Sequence, residues 1–186
     1  MLISASRALK EILKVVKGTK VLVVTDTHTK AVGDAFFEGV KKLGGSPEMY
    51  FIDEAIRPIK EIPEALLGLI PGKEVGVTVF KGFPQETPFR ISLIKTLMKT
   101  LKRLGHGPGI TAGMLTEGPM NIDYAELVRN AESLINAFEG AVSARITAPA
   151  GTDITLNIEE RRFKTDVVIK EGSWGNLPAG EIWCAF

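Results

Sequence analysis

Residues 20–45 read KVLVVTDTHTKAVGDAFFEGVKKLGG, and this segment indicates the fold class. Residues 21–24 within it form a short, continuous apolar run rich in valine, which is typical of a strand buried on both faces in a parallel sheet. A helix is predicted from about Thr29 to Leu43, where Gly44 and Gly45 stop it. A buried strand followed directly by a helix indicates an α/β protein.

The flanking sequence continues this alternation of strand and helix patterns. Together the elements predict an open, mainly parallel sheet flanked by helices. They are an amphipathic helix over residues 2–16, strands over 21–24, 49–52 and 75–80, a loop with a short helix over 57–69, and helices over 29–43, 87–104 and 123–138.

The hydrophobic period changes near Gly140. Apolar and polar residues alternate over 142–148, 154–158 and 163–169, which predicts an antiparallel β meander. We therefore expect an N-terminal α/β domain over 1–139 and the beginning of a second, β-rich domain over 140–186. A sheet this small can bury little apolar area, so we expect it to continue in a longer protein or to be completed by another chain.

Composition narrows the function classes. The 186 residues carry 23 basic and 22 acidic side chains, so the net charge of +1 provides no field for a phosphate backbone and we expect no nucleic-acid partner. The single cysteine, Cys184, excludes an internal disulfide framework and is interpreted as structural. With neither a membrane-spanning run nor a signal peptide, we expect a cytoplasmic protein with no membrane partner.

Three titratable residues lie near predicted strand ends or turns. Asp26 and His28 follow the first strand, where ligands gather in open α/β sheets, although Asp26 or Thr29 could simply cap the next helix. His106 lies in the glycine-rich connection 105–111 and could titrate near neutral pH. No dinucleotide or triphosphate-binding glycine pattern accompanies them.

Glu181 is the most informative acidic residue. It follows a glycine-rich loop in residues 172–183, GSWGNLPAGEIW, and directly precedes an apolar strand over 182–186. If its carboxylate faced inward, the charge would need a partner or a bound cation. The alternative is a carboxylate at a strand edge that faces solvent.

Four segments together resemble a known family, the metallo-aminopeptidases similar to aminopeptidase T, often labelled leucyl aminopeptidases. The start of that family's N-terminal domain is also similar to residues 21–26, 35–37 and 43–45 here. The four segments occur in the family's order and are PGIT at 108–111, MNIDY at 120–124, ITAPAGTDIT at 146–155 and GNLPAGE at 175–181.

This resemblance implies an enzyme that removes N-terminal residues from peptides. It implies two divalent metal ions, zinc, cobalt or similar, held by carboxylates and histidines of the C-terminal domain. Glu181 is the counterpart of a family metal ligand, and a homodimer is expected as in relatives.

The chain also departs from the family pattern. Relatives continue beyond this point with further site residues that these 186 residues lack, and Phe186 stands where a proline is expected. We therefore expect the chain alone to be inactive, with no catalytic residue of its own. Two alternatives stay open, a non-catalytic α/β binding or interaction module and a small-molecule binder that uses Asp26 and His28.

Overall fold

The protein is described from a computed structural model that covers residues 1–184. It is an α/β fold with a five-stranded parallel sheet, flanking helices and two small antiparallel sheets, as the sequence predicts. Its helices are α1 Leu2–Glu11, α2 Lys30–Lys42, α3 Glu64–Leu69, α4 Thr87–Leu97, α5 Ala112–Thr116 and α6 Tyr124–Ala137. Its strands are β1 Lys20–Thr25, β2 Ser46–Phe51, β3 Val75–Val79, β4 Arg103–His106, β5 Ser143–Thr147, β6 Asp153–Asn157, β7 Lys164–Thr165, β8 Ser173–Asn176 and β9 Ile182–Trp183.

The main sheet has the order β2-β1-β3-β4-β8. Strand β1 pairs in parallel with β2 on one side and with β3 on the other, and every residue of β1 after Lys20 is buried. The chain therefore leaves β1 toward one edge of the sheet and returns toward the other. This reversal opens a crevice between the carboxyl ends of β1 and β3.

Alternate residues of β1 face two separate cores. Val21 and Val23 pack with side chains of α1 and α2, whereas Leu22 and Val24 pack with side chains of α3 and α4. Burial of a Leu or Phe side chain contributes about 1.5–3 kcal/mol, so a strand that is apolar on both faces stabilises both layers. Residues 21–24 are continuously apolar because both faces of β1 are buried.

Two predicted helices are shorter in the structure. The helix predicted over 87–104 ends at Leu97, and residues 103–106 form the strand β4 instead. Leu104 continues the helical spacing, but its side chain is buried in the sheet, where it contributes to the core shared with α4. The first helix likewise ends at Glu11, before the predicted end at residue 16.

The predicted three-stranded meander is partly wrong. Strands β5 and β6 form the expected antiparallel hairpin, with Ile146 opposite Ile154. Residues 163–169, however, contain only the two-residue strand β7, which pairs with β9 rather than with β6. The apolar residues Val167 and Ile169 of this segment are buried without a strand of their own.

The region after residue 140 also returns to the main sheet. Strand β8 pairs in parallel with β4, so Trp174 lies opposite Leu104. The domain division at residue 140 remains a prediction. The predicted strand over 182–186 is seen at Ile182–Trp183, while Ala185 and Phe186 lie outside the described residues.

None of the helices in residues 1–184 has the length and apolar character needed to cross a bilayer.

Candidate functional site

The carboxyl ends of β1 and β3 form the crevice at which ligands bind in open α/β sheets. A cavity of about 250 Å³ lies beside it and is lined by His28, Thr29, Lys81 and Thr111, among others. The residues that follow the two strands therefore determine whether this edge of the sheet can bind a ligand.

Asp26 follows β1 and is fully buried. Its Oδ1 accepts hydrogen bonds from the N–H of Thr29 at 3.0 Å and from the hydroxyl of Thr29 at 2.8 Å. Its Oδ2 accepts from the N–H of Lys81 at 2.6 Å and from Nη2 of Arg57. With both oxygens engaged, Asp26 joins β1, the start of α2 and the end of β3, and is not free for a ligand.

Arg57 and Glu86 complete a buried ionic cluster with Asp26. The Arg57 side chain is 8% exposed, and its Nη1 lies 2.5 Å from Oε2 of the fully buried Glu86. Oε1 of Glu86 accepts a hydrogen bond from the N–H of Ile59 at 3.0 Å. The guanidinium also lies 4.9 Å from the centre of the Phe83 ring. One buried cation thus pairs with two buried carboxylates.

His28 lies outside this cluster. Its Nε2 is 3.4 Å from Oε2 of Glu54, and its ring is edge-on to Phe83 with the centres 5.8 Å apart. Glu54 Oε2 also lies 3.1 Å from Nε of Arg57, at ion-pair distance without the alignment of a hydrogen bond. The structure therefore does not bring His28 and Asp26 together as a pair open to a ligand.

His106 is the last residue of β4 and is 6% exposed. Its Nδ1 lies 2.7 Å from the hydroxyl of Thr78, and its ring is edge-on to those of Phe80 and Trp174. Burial, with a smaller contribution from the charge of Arg90, lowers the pKa of His106 to about 4. The expectation that His106 titrates near neutral pH is therefore wrong, and its imidazole is neutral there.

Glu181 lies in the connection between β8 and β9 and is exposed. Of the two alternatives that its position in the sequence left open, the structure of residues 1–184 shows the exposed carboxylate. Its main-chain N–H donates a hydrogen bond to Oδ1 of Asp166 at 3.2 Å. A role of Glu181 as a metal ligand remains a prediction.

Asp166 was not identified from the sequence, although it contacts the Glu181 connection directly. It is 6% exposed, and its carboxylate accepts hydrogen bonds from the N–H groups of Asn176, Gly180 and Glu181. A single Asp in an otherwise ordinary apolar segment gives no signal of this role, because its partners lie 10 to 15 residues further along the chain.

The described residues do not by themselves form a metal centre. Within residues 1–184, no group of three or more His, Cys, Asp or Glu side chains could hold a metal ion. Protein metal sites of the zinc type use at least three protein ligands, so Glu181 could supply only part of one. Cys184 is a partly buried free thiol just after β9.

Comparison with known proteins shows a likeness of fold. No family model matches the chain, and no curated protein matches it significantly. Among solved structures, AmpT from Thermus thermophilus matches with a TM-score of 0.59 and 13% identity, over 99% of this chain and 60% of that chain. The 2,5-dihydroxypyridine dioxygenase from Pseudomonas putida KT2440 matches with a TM-score of 0.59 and 14% identity, over 98% of this chain and 55% of that chain.

The chain thus spans a little over half the length of the solved structures it matches. At these identities the likeness concerns the fold. The fold of this chain resembles the N-terminal part of AmpT-like proteins.

Proposed function

We propose that this chain is the N-terminal part of a metal-dependent aminopeptidase and that Glu181 is one ligand of its two-metal site. The observation that carries the proposal is the fold likeness to AmpT, which extends over 99% of this chain but only 60% of that one. The segment GNLPAGE at 175–181, in which Glu181 is the last residue, supports the same assignment. Peptides would be the substrates and two divalent ions, zinc, cobalt or similar, the cofactors.

The exposed carboxylate of Glu181 has no cation site of its own within residues 1–184. A ligand shared with residues from outside this chain must reach the surface, and the Glu181 carboxylate does so. The remaining ligands would come from sequence beyond residues 1–184, because those residues contain no group able to hold a metal. We therefore expect the 186-residue chain to be inactive alone, and the complete enzyme to be a cytoplasmic homodimer that needs neither nucleic acid nor membrane.

Peptide hydrolysis tests this proposal directly. The 186-residue chain and the polypeptide encoded by the complete reading frame are assayed on unblocked peptides, each with and without a chelator. We expect hydrolysis only from the longer polypeptide, abolished by the chelator and by Glu181→Gln. Glu139→Gln, an exposed acidic residue after α6, is the matched control and should leave hydrolysis unchanged.

One observation favours a second function. The lack of a three-ligand group within residues 1–184 fits a non-catalytic α/β binding or interaction module. If the polypeptide encoded by the complete reading frame hydrolyses no peptide in the presence of zinc or cobalt, that result would support the module and contradict the aminopeptidase.

A further inference from the structure

We propose that Asp166 is the positioning residue of Glu181. It holds the main chain of the loop of residues 176–181 and so fixes the direction in which the Glu181 side chain projects from the surface. This inference rests on the proposed function insofar as Glu181 is a metal ligand. The hold of Asp166 on the loop is a separate property that can be measured in this chain alone.

The Asp166 carboxylate binds both ends of the loop. Oδ2 accepts a hydrogen bond from the N–H of Asn176 at 3.1 Å, and Oδ1 accepts from the N–H groups of Gly180 at 3.1 Å and Glu181 at 3.2 Å. Hydrogen bonds to a charged acceptor are stronger than neutral ones. A buried carboxylate also needs such donors to offset its lost hydration, so the loop and Asp166 stabilise each other.

Leu177 fixes the middle of the same loop to the parallel sheet. Its side chain is buried, and its N–H donates to the carbonyl of His106 at 2.9 Å. A Cβ atom on Gly105 would lie 2.7 Å from Cδ1 of Leu177, and one on Gly107 would lie 2.9 Å from the Leu177 carbonyl oxygen. The glycines of β4 and its following turn therefore make room for the loop.

Asp166 itself is held by the α/β body. The next residues, Val167 and Ile169, are buried, and the N–H of Ile169 donates to the carbonyl of Ile12 at 3.1 Å. By contrast, β9 is two residues long and pairs with the two-residue β7. So short a ladder cannot fix the direction of Glu181, and the contacts through Asp166 and Leu177 supply what it lacks.

Amide hydrogen exchange in the 186-residue chain tests the hold of Asp166. In Asp166→Ala and Asp166→Asn, we expect exchange at Asn176, Gly180 or Glu181 to accelerate by about tenfold or more, while the amides of β1 keep their protection. Asp166→Asn preserves the shape and one acceptor oxygen, so it gives the answer if the alanine variant does not fold. Asp53→Ala is the matched control, because Asp53 accepts a hydrogen bond from the N–H of Ala55 at 2.9 Å beyond β2, at the opposite edge of the sheet from β8.

The control variant should loosen the turn of residues 53–56 and leave residues 176–181 unchanged. Unaltered exchange of all three loop amides in Asp166→Asn would overturn the proposal. So would equal acceleration throughout the sheet, because the variant would then act on global stability rather than on the loop.

Metal affinity of the complete polypeptide separates the two levels of the proposal. Zinc is titrated in competition with a chromophoric chelator, and we expect Asp166→Asn to weaken zinc binding by about 10- to 100-fold, as for other residues that orient a ligand. If Glu181→Gln weakens binding and Asp166→Asn does not, the positioning role is wrong and the proposed function stands. If neither variant changes zinc affinity although Asp166→Asn frees the loop amides, the ligand assignment of Glu181 is wrong instead.

Discussion

Substitution of Arg57 by methionine tests whether the buried ionic cluster holds the carboxyl edge of the sheet together. The variant removes the guanidinium between Asp26 and Glu86, both of which are fully buried. Methionine fills a similar volume against Phe83, so the loss reports mainly on the charge. Removal of one partner from a buried ion pair costs about 3–5 kcal/mol, a large share of the total stability of about 5–15 kcal/mol that is usual for a protein.

The free energy of unfolding is measured by urea titration, with far-UV circular dichroism as the signal of unfolding. Urea is preferred to guanidinium chloride because it does not screen charges. For a chain of this size, the same loss should lower Tm by about 6–20 °C. Arg129→Met, on the exposed surface of α6, is the control and should change stability by less than about 0.5 kcal/mol. Equal, small losses in the two variants would show that the Arg57 charge does not stabilise the buried cluster.

Three further predictions concern local packing, pH and capping. Gly105→Ala should cost about 1–3 kcal/mol in urea unfolding, because its Cβ would meet Leu177, whereas Gly68→Ala, in open space on α3, should be neutral or stabilising by up to about 1 kcal/mol. The lowered pKa of His106, about 4 against an ordinary 6.5, contributes stability that is present above pH 6.5 and decreases by about 3 kcal/mol as the pH falls to 4. His106→Gln should therefore flatten the dependence of unfolding free energy on pH over that range, and an unchanged slope would contradict the assignment. Asp123→Ala should lower stability by about 1 kcal/mol through loss of the α6 cap, and a thermal shift equal to that of an exposed control such as Glu139→Gln would argue against capping.

The parallel sheet is largely predictable from the sequence because β1 and β3 are buried on both faces and are rich in valine. Strands β4 and β8 were missed for the opposite reason. The first reads RLGH and the second SWGN, and neither has a β-branched residue or a regular apolar alternation. They become strands because β3 and then β4 offer unpaired edges, which no local pattern records.

The candidate site divides in the same way. Glu181 could be singled out because a glycine-rich segment surrounds it and a family resemblance supports it. Arg57 and Glu86 could not be singled out from the sequence. They join Asp26 only because the loops that follow β2 and β3 fold over the sheet edge. Asp166 could not be singled out because its partners are main-chain N–H groups, which nearly every residue has and which therefore leave no pattern in the sequence.

The number of zinc ions bound per chain shows whether Glu181 is a metal ligand. The complete polypeptide and its Glu181→Gln variant are saturated with zinc, freed of excess metal by gel filtration and analysed by mass spectrometry for zinc per chain. We expect about two zinc ions per chain in the unaltered protein, as in other two-metal hydrolytic sites, and fewer in the variant. Equal zinc content in the two proteins, or none in either, would contradict this assignment.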